Sequence, residues 1–108
     1  MITAEAVYNR TGCFRGYRIS GHGEMDSEEL GYDIVCAAVS AITLTAALGL
    51  RDVLGLEGSY ESESGYLAVD IADRGNAASD AVIAAMFRGL EEVAKQYPDR
   101  ILIKNYGR

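Results

Sequence analysis

Apolar and polar positions alternate over residues 2–8 (ITAEAVY) and again over 14–20 (FRGYRIS). The NRTG between them supplies the asparagine and glycine that a hairpin connection prefers, so two paired strands are predicted. From Asp33 to about Leu54 the period becomes that of a helix: Val35, Val39, Ile42, Ala46 and Val53 fall near one face, and Gly55 is placed to end it. This helix is apolar nearly all round, which calls for cover by the sheet and by a second subunit. SYESE (59–63) and GYLAVDIAD (65–73) read as a second hairpin whose inward row is Leu67, Val69 and Ile71. After the polar break DRGN a second helix is predicted over 77–97, with Val82, Met86, Leu90, Val93 and Tyr97 at helical spacing and Pro98 as its stop. RILIKNY (100–106) supplies a last strand. The order ββαββαβ predicts an α+β fold in two layers, two helices packed on one face of a mainly antiparallel sheet.

With 108 residues and no linker or repeat, the whole of 1–108 is expected to be one domain. Its two cysteines are too few for a disulfide framework and no secretory leader precedes them, so a reduced, cytoplasmic setting is expected. Residues 34–50 carry no charge, yet this run is shorter than the roughly 20 residues a bilayer demands. A buried helix is expected there and no membrane association. The net charge of -6 argues against direct nucleic-acid binding, which depends on neutralising phosphates, and equally permits a cationic peptide or protein as partner. No CxxC or HxxxH pair is present, so neither a metal nor another cofactor is expected.

Candidate chemistry gathers around residues 21–42. The segment 21–32 lacks periodicity and reads as a loop, with Gly21, Gly23 and Gly31 as hinges and Glu24, Asp26, Glu28 and Glu29 as its charge. If Asp33 caps the helix that begins there, Cys36 falls in the first turn. In that turn the helix field, worth about 0.3–1 kcal/mol at an exposed site, favours a thiolate, and unpaired N–H groups are available to an oxyanion. Ser40 lies one turn later, so Asp33, Cys36 and Ser40 share a stripe. His22 is the one side chain able to act as a base near neutral pH without a large shift. These are the parts of a cysteine nucleophile with a histidine partner. Residue types alone leave the plainer alternative open, because a cysteine in an Ala/Val-rich helix is commonly a small buried hydrophobe and a histidine in a glycine-rich loop is commonly solvated.

The run S-G-H-G at 20–23, with G-Y-D-I-V-C-A-A-V-S after it at 31–40, resembles the signature of the ribosomal-processing cysteine protease family. The order of elements fits along the entire chain, including the Tyr-Pro that closes the second helix. The resemblance implies a cytoplasmic, homodimeric endopeptidase that removes a short N-terminal extension from a large-subunit ribosomal protein. It implies His22 as the catalytic histidine, Cys36 as the nucleophile, and Asp33 and Ser40 as accompanying polar positions. Cleavage after an aromatic residue in a short hydrophobic motif, and a loop between histidine and cysteine that moves on peptide binding, are implied too. The loop here is longer than the family's usual spacing, and its DSEE insert is unusually acidic. Its acids are expected to draw the basic N-terminal segment of the substrate. A noncatalytic peptide-binding or ribosome-assembly module, with Cys36 as packing, is the competing reading, and a redox-sensing thiol is a third.

Overall fold

A computed structural model describes residues 1–21 and 30–107, with residues 30–33 as backbone only. Strand β1 spans Ile2–Tyr8 and β2 spans Phe14–Ser20, antiparallel with Thr3 opposite Ser20. Asn9 makes the turn, its Oδ1 accepting from the backbone N–H of Thr11 at 3.0 Å and of Cys13 at 3.1 Å. Val7 faces Gly16 and Tyr8 faces Phe14, so Arg15 is an extra residue that bulges β2. The bulge switches parity, which is why Phe14 and Tyr17 both reach the core.

Strands β3 (Ser59–Glu63), β4 (Tyr66–Asp70) and β5 (Ile101–Lys104) complete a five-stranded sheet in the order β3-β4-β2-β1-β5. Neighbours are antiparallel except for β1 and β5, which run parallel. The expected inward row of β4 holds: Leu67, Val69 and Ile71 are all buried.

Two helices pack against this sheet, as the sequence pattern predicts. Helix α1 is Leu30–Leu48, continued by a π-helical turn at Gly49–Val53 in which the Leu54 N–H reaches the Gly49 carbonyl at 2.9 Å. Gly55, at φ +67°, ends it as expected. Val35, Val39 and Ala46 lie in the core with Ile42 at its margin, but Val53 is 81 % exposed, contrary to expectation. A π turn takes one residue more than an α turn and so rotates the residues beyond it by about 100° around the axis. Leu50, which continues the α-helical stripe of Val39, Thr43 and Ala46, is fully buried, and it is Val53 that the turn carries off that face.

Ile34–Val53 is, by length and composition, a 20-residue stretch long and apolar enough to cross a membrane, because the window continues past the uncharged run. In the fold one face of it, with Val35, Val39, Thr43 and Leu50, is buried against the rest of the domain.

Helix α2 (Ala77–Gln96) begins on a reciprocal cap: Asn76 Oδ1 accepts from the Ser79 N–H at 2.9 Å, and Ser79 Oγ accepts from the Asn76 N–H at 2.7 Å. Its buried face is Ser79, Ile83, Met86, Phe87 and Leu90. Met86 and Leu90 were expected there, while Val82, Val93 and Tyr97 form the half-buried flank. Phe87 stacks on Tyr106 at 4.9 Å and meets the Tyr17 ring edge-on at 6.3 Å.

Candidate active site

Val39 and Ser40 lie three and four residues beyond Cys36, and Thr43 four and three beyond them, so the four occupy one stripe of α1. Val39 and Thr43 are buried against the sheet, Cys36 is half-buried at its margin and Ser40 is exposed. Two hydrogen bonds hold the stripe in place. The Tyr17 hydroxyl donates to the Thr43 carbonyl at 2.9 Å, and Thr43 Oγ1 donates to the Val39 carbonyl at 2.8 Å. Burial pushes the Tyr17 phenol well above its usual range, so it remains a donor.

Cys36 and Ser40 open onto a cavity of about 130 Å³. Its floor is Ile2, Ile19 and Leu67 from the sheet, and its far wall is Ser62, Glu63, Gly65 and Tyr66 from the β3–β4 hairpin. Gly21 lines it as well, at the end of β2. The Gly21 N–H donates to the Gly65 carbonyl at 3.0 Å, and its φ is +87°. A Cβ at this position would stand 2.4 Å from the Met1 carbonyl oxygen, so no residue but glycine fits between the first strand and the hairpin turn. Gly21 thus leads into His22 from a fixed point. His22 itself, with Gly23, Glu24, Asp26, Glu28 and Glu29, lies outside the described residues.

Two expectations require correction. The backbone is helical from Leu30, so Gly31 belongs to α1 and is not a loop hinge, and Asp33 is the fourth helical residue and not the cap. Gly31 obscured this start because glycine disfavours helix, yet in a first turn the N–H groups have no intrahelical partner to lose. Cys36 consequently sits in the second turn. The argument from first-turn N–H groups and the helix field, which falls off within one turn, does not extend to it.

The hairpin wall was not foreseen. Of the predicted residues, the structure brings Gly21, Cys36 and Ser40 to one cavity, whereas Cys13 lies apart in the β1–β2 hairpin. Arg15 grips Asp70 at 2.9 and 3.2 Å at the opposite end of β4, holding that carboxyl below the usual carboxylate range.

The cavity is thus lined by a helix-borne thiol and by a fixed glycine whose next residue in the sequence is a histidine. Residues 1–102 match the family model for Cysteine protease Prp, and the chain belongs to that family of cysteine proteases. The ribosomal processing cysteine protease Prp of Staphylococcus aureus (strain Mu50 / ATCC 700699) is 28% identical over 109 residues, covering 98% of this chain and 99% of the relative. Among solved structures, the crystal structure of an essential ribosomal processing protease Prp from S. aureus, in complex with a substrate peptide, superposes with a TM-score of 0.82 at 22% identity over 95% of this chain and 97% of that one. A Streptococcus mutans protein superposes with a TM-score of 0.80 at 24% identity, over 96% and 92% of the two chains. The two structures share this fold.

Proposed function

We propose that the protein is a cytoplasmic endopeptidase that removes a short N-terminal extension from a large-subunit ribosomal protein, with Cys36 as nucleophile and His22 as general base. One observation carries this reading: Cys36 shares its cavity with Gly21, which is fixed in place one peptide bond before His22. His22 takes the thiol proton as Sγ attacks the scissile carbonyl carbon. The tetrahedral species collapses by expelling the amine, which receives that proton from His22, and an acyl-thioester remains. Water, deprotonated by His22, then attacks the thioester carbon, the carbon–sulfur bond breaks as His22 returns the proton to sulfur, and the new carboxylic acid leaves and gives its proton to solvent. Ser40, on the cavity rim, supplies a hydroxyl to the bound peptide.

The naming of the relatives for ribosomal processing supports the substrate, as does the S. aureus Prp crystal structure in complex with a covalently linked product peptide. A homodimer belongs to the same reading. Ile34, Leu44 and Leu48 are 48%, 41% and 49% exposed, and with the exposed Ala37 and Ala41 they form an apolar seam at steps of three and four along α1. A second copy would cover such a seam.

The test is direct: incubate the protein with the unprocessed large-subunit ribosomal protein of the same organism and weigh the product by mass spectrometry. Loss of the N-terminal extension is expected, absent with Cys36→Ser and with His22→Ala. An unchanged mass, or cleavage that survives Cys36→Ser, defeats the reading.

A further inference from the structure

Among the described residues, β3 is the outermost strand on its side of the sheet. The two residues Ser64 and Gly65 connect the pair Glu63–Tyr66, and in such a turn the first carbonyl accepts from the fourth N–H. Glu63–Tyr66 is therefore a hydrogen-bonded pair. Alternation along an antiparallel ladder makes Glu61–Ala68 and Ser59–Asp70 hydrogen-bonded as well. The backbone N–H and C=O groups of Tyr60 and Ser62 are left pointing away from β4, out of the edge of the sheet.

This edge is continuous with the site. Ser62 stands opposite Leu67 and so shares its core-side face, and both Ser62 and Glu63 line the cavity that Cys36 lines. The strand is also acidic, with Glu61 and Glu63 exposed. Charges on an edge strand are a common defence against unwanted pairing, but a defence made of carboxylates repels an acidic chain and attracts a basic one. The same strand of a second copy, laid on this edge, would set Glu61 and Glu63 against like charges.

We propose that an extended, basic peptide substrate docks as an added strand on the free edge of β3, its main chain paired with Tyr60 and Ser62, and runs from there into the cavity at Cys36. The proposal rests on the peptidase reading of that cavity. Strand addition draws affinity from main-chain hydrogen bonds and leaves alternate side chains of the peptide to be read by pockets. Glu61 and Glu63 add an attraction that salt screens.

The experiment uses the Cys36→Ser protein and a synthetic peptide copying the N-terminal segment of the same organism's large-subunit ribosomal protein. Backbone amide exchange is monitored by NMR, and Kd is measured for peptides N-methylated at successive amides. The amides of Tyr60 and Ser62 are expected to slow about tenfold or more on binding, and N-methylation is expected to raise Kd about tenfold at alternate positions only, the loss of roughly one charge-free hydrogen bond. Glu61→Gln with Glu63→Gln should raise Kd at low salt and lose that effect at high salt. If the parent enzyme cleaves the peptide while both amides exchange unchanged and the methyl scan shows no alternation, the added strand is wrong and the peptidase stands. Protected amides with alternation, but no cleavage by the parent, sink the peptidase and keep the strand. A peptide that neither binds nor is cleaved overturns both.

Discussion

The hydroxyl of Tyr17 donates to the backbone carbonyl of Thr43 across the sheet–helix interface, at 2.9 Å and with both residues buried. Thr43 lies two turns beyond Cys36 on the same stripe, so a residue at the centre of β2 sets the depth at which the nucleophile's helix rests.

Tyr17→Phe should cost about 0.5–1.5 kcal/mol at neutral pH, the net value of one hydrogen bond. The folded phenol holds its proton more tightly than the unfolded one. Its stabilisation is therefore full below the unfolded pKa of about 10 and declines as pH rises past it. Urea unfolding at neutral and alkaline pH checks both: the gap between parent and Phe variant should narrow above about pH 10. A gap that widens there would contradict the assignment.

Gly21→Ala should impair the enzyme more than it impairs the fold. Its φ of +87° costs an alanine about 1–2 kcal/mol, and the Met1 carbonyl must move away from the new Cβ. The expected outcome is a lower Tm together with a kcat/KM reduced well beyond what the folded fraction explains, while Cys36 still alkylates. Unchanged kcat/KM would mean that the chain's entry to His22 is not set at Gly21.

Acid stability should carry the mark of Asp70. Its carboxyl is held below the usual range first by the hydrogen bond from Arg15, and the Ala72 N–H at 2.8 Å adds to this. A depressed folded pKa gives stability that is present above the ordinary value of about 3.9 and lost as pH falls below it. With side chains 44% and 48% exposed, solvent screens the pair and the effect is small. Asp70→Asn should therefore change Tm little at neutral pH and flatten its decline between about pH 4 and pH 2. An identical acid limb in both proteins would remove Asp70 from the account.

Leu48→Glu tests the seam. Leu48 is 49% exposed, so the fold should tolerate the change, whereas a charge in an apolar contact between copies should not be tolerated. Light scattering of the eluting protein should show parent dimers and variant monomers with the same circular dichroism. A parent that is already monomeric would leave the seam unpaired.

Turn chemistry and period two made β1 to β4 legible, since side chains on one face of a strand repeat at every second residue whatever the partner. The Arg15 bulge was not legible, because a bulge exists only relative to a neighbouring strand. The first turn of α1 was hidden behind Gly31, and Val53 was misplaced because a π turn leaves no trace in a helical period. At the site, the four-residue step from Cys36 to Ser40 was readable, and the hairpin wall was not. A signal was present in Ser62. It continues the row of Tyr60 and stands opposite Leu67, yet is small and polar, as befits a core-side position that lines a cavity.

The parallel pairing of β1 with β5 sets Ile2 beside Ile101, so two strands far apart in the sequence seal one another. During synthesis β1 and β2 are made long before β5 and can pair at once, but the other edge of β1 lacks this partner until β5 is made. Closing so long a loop is slow, and an unsealed edge is a template for pairing with other chains. Translation halted short of residue 101 would release a molecule whose cavity residues have all been made, with that edge still open.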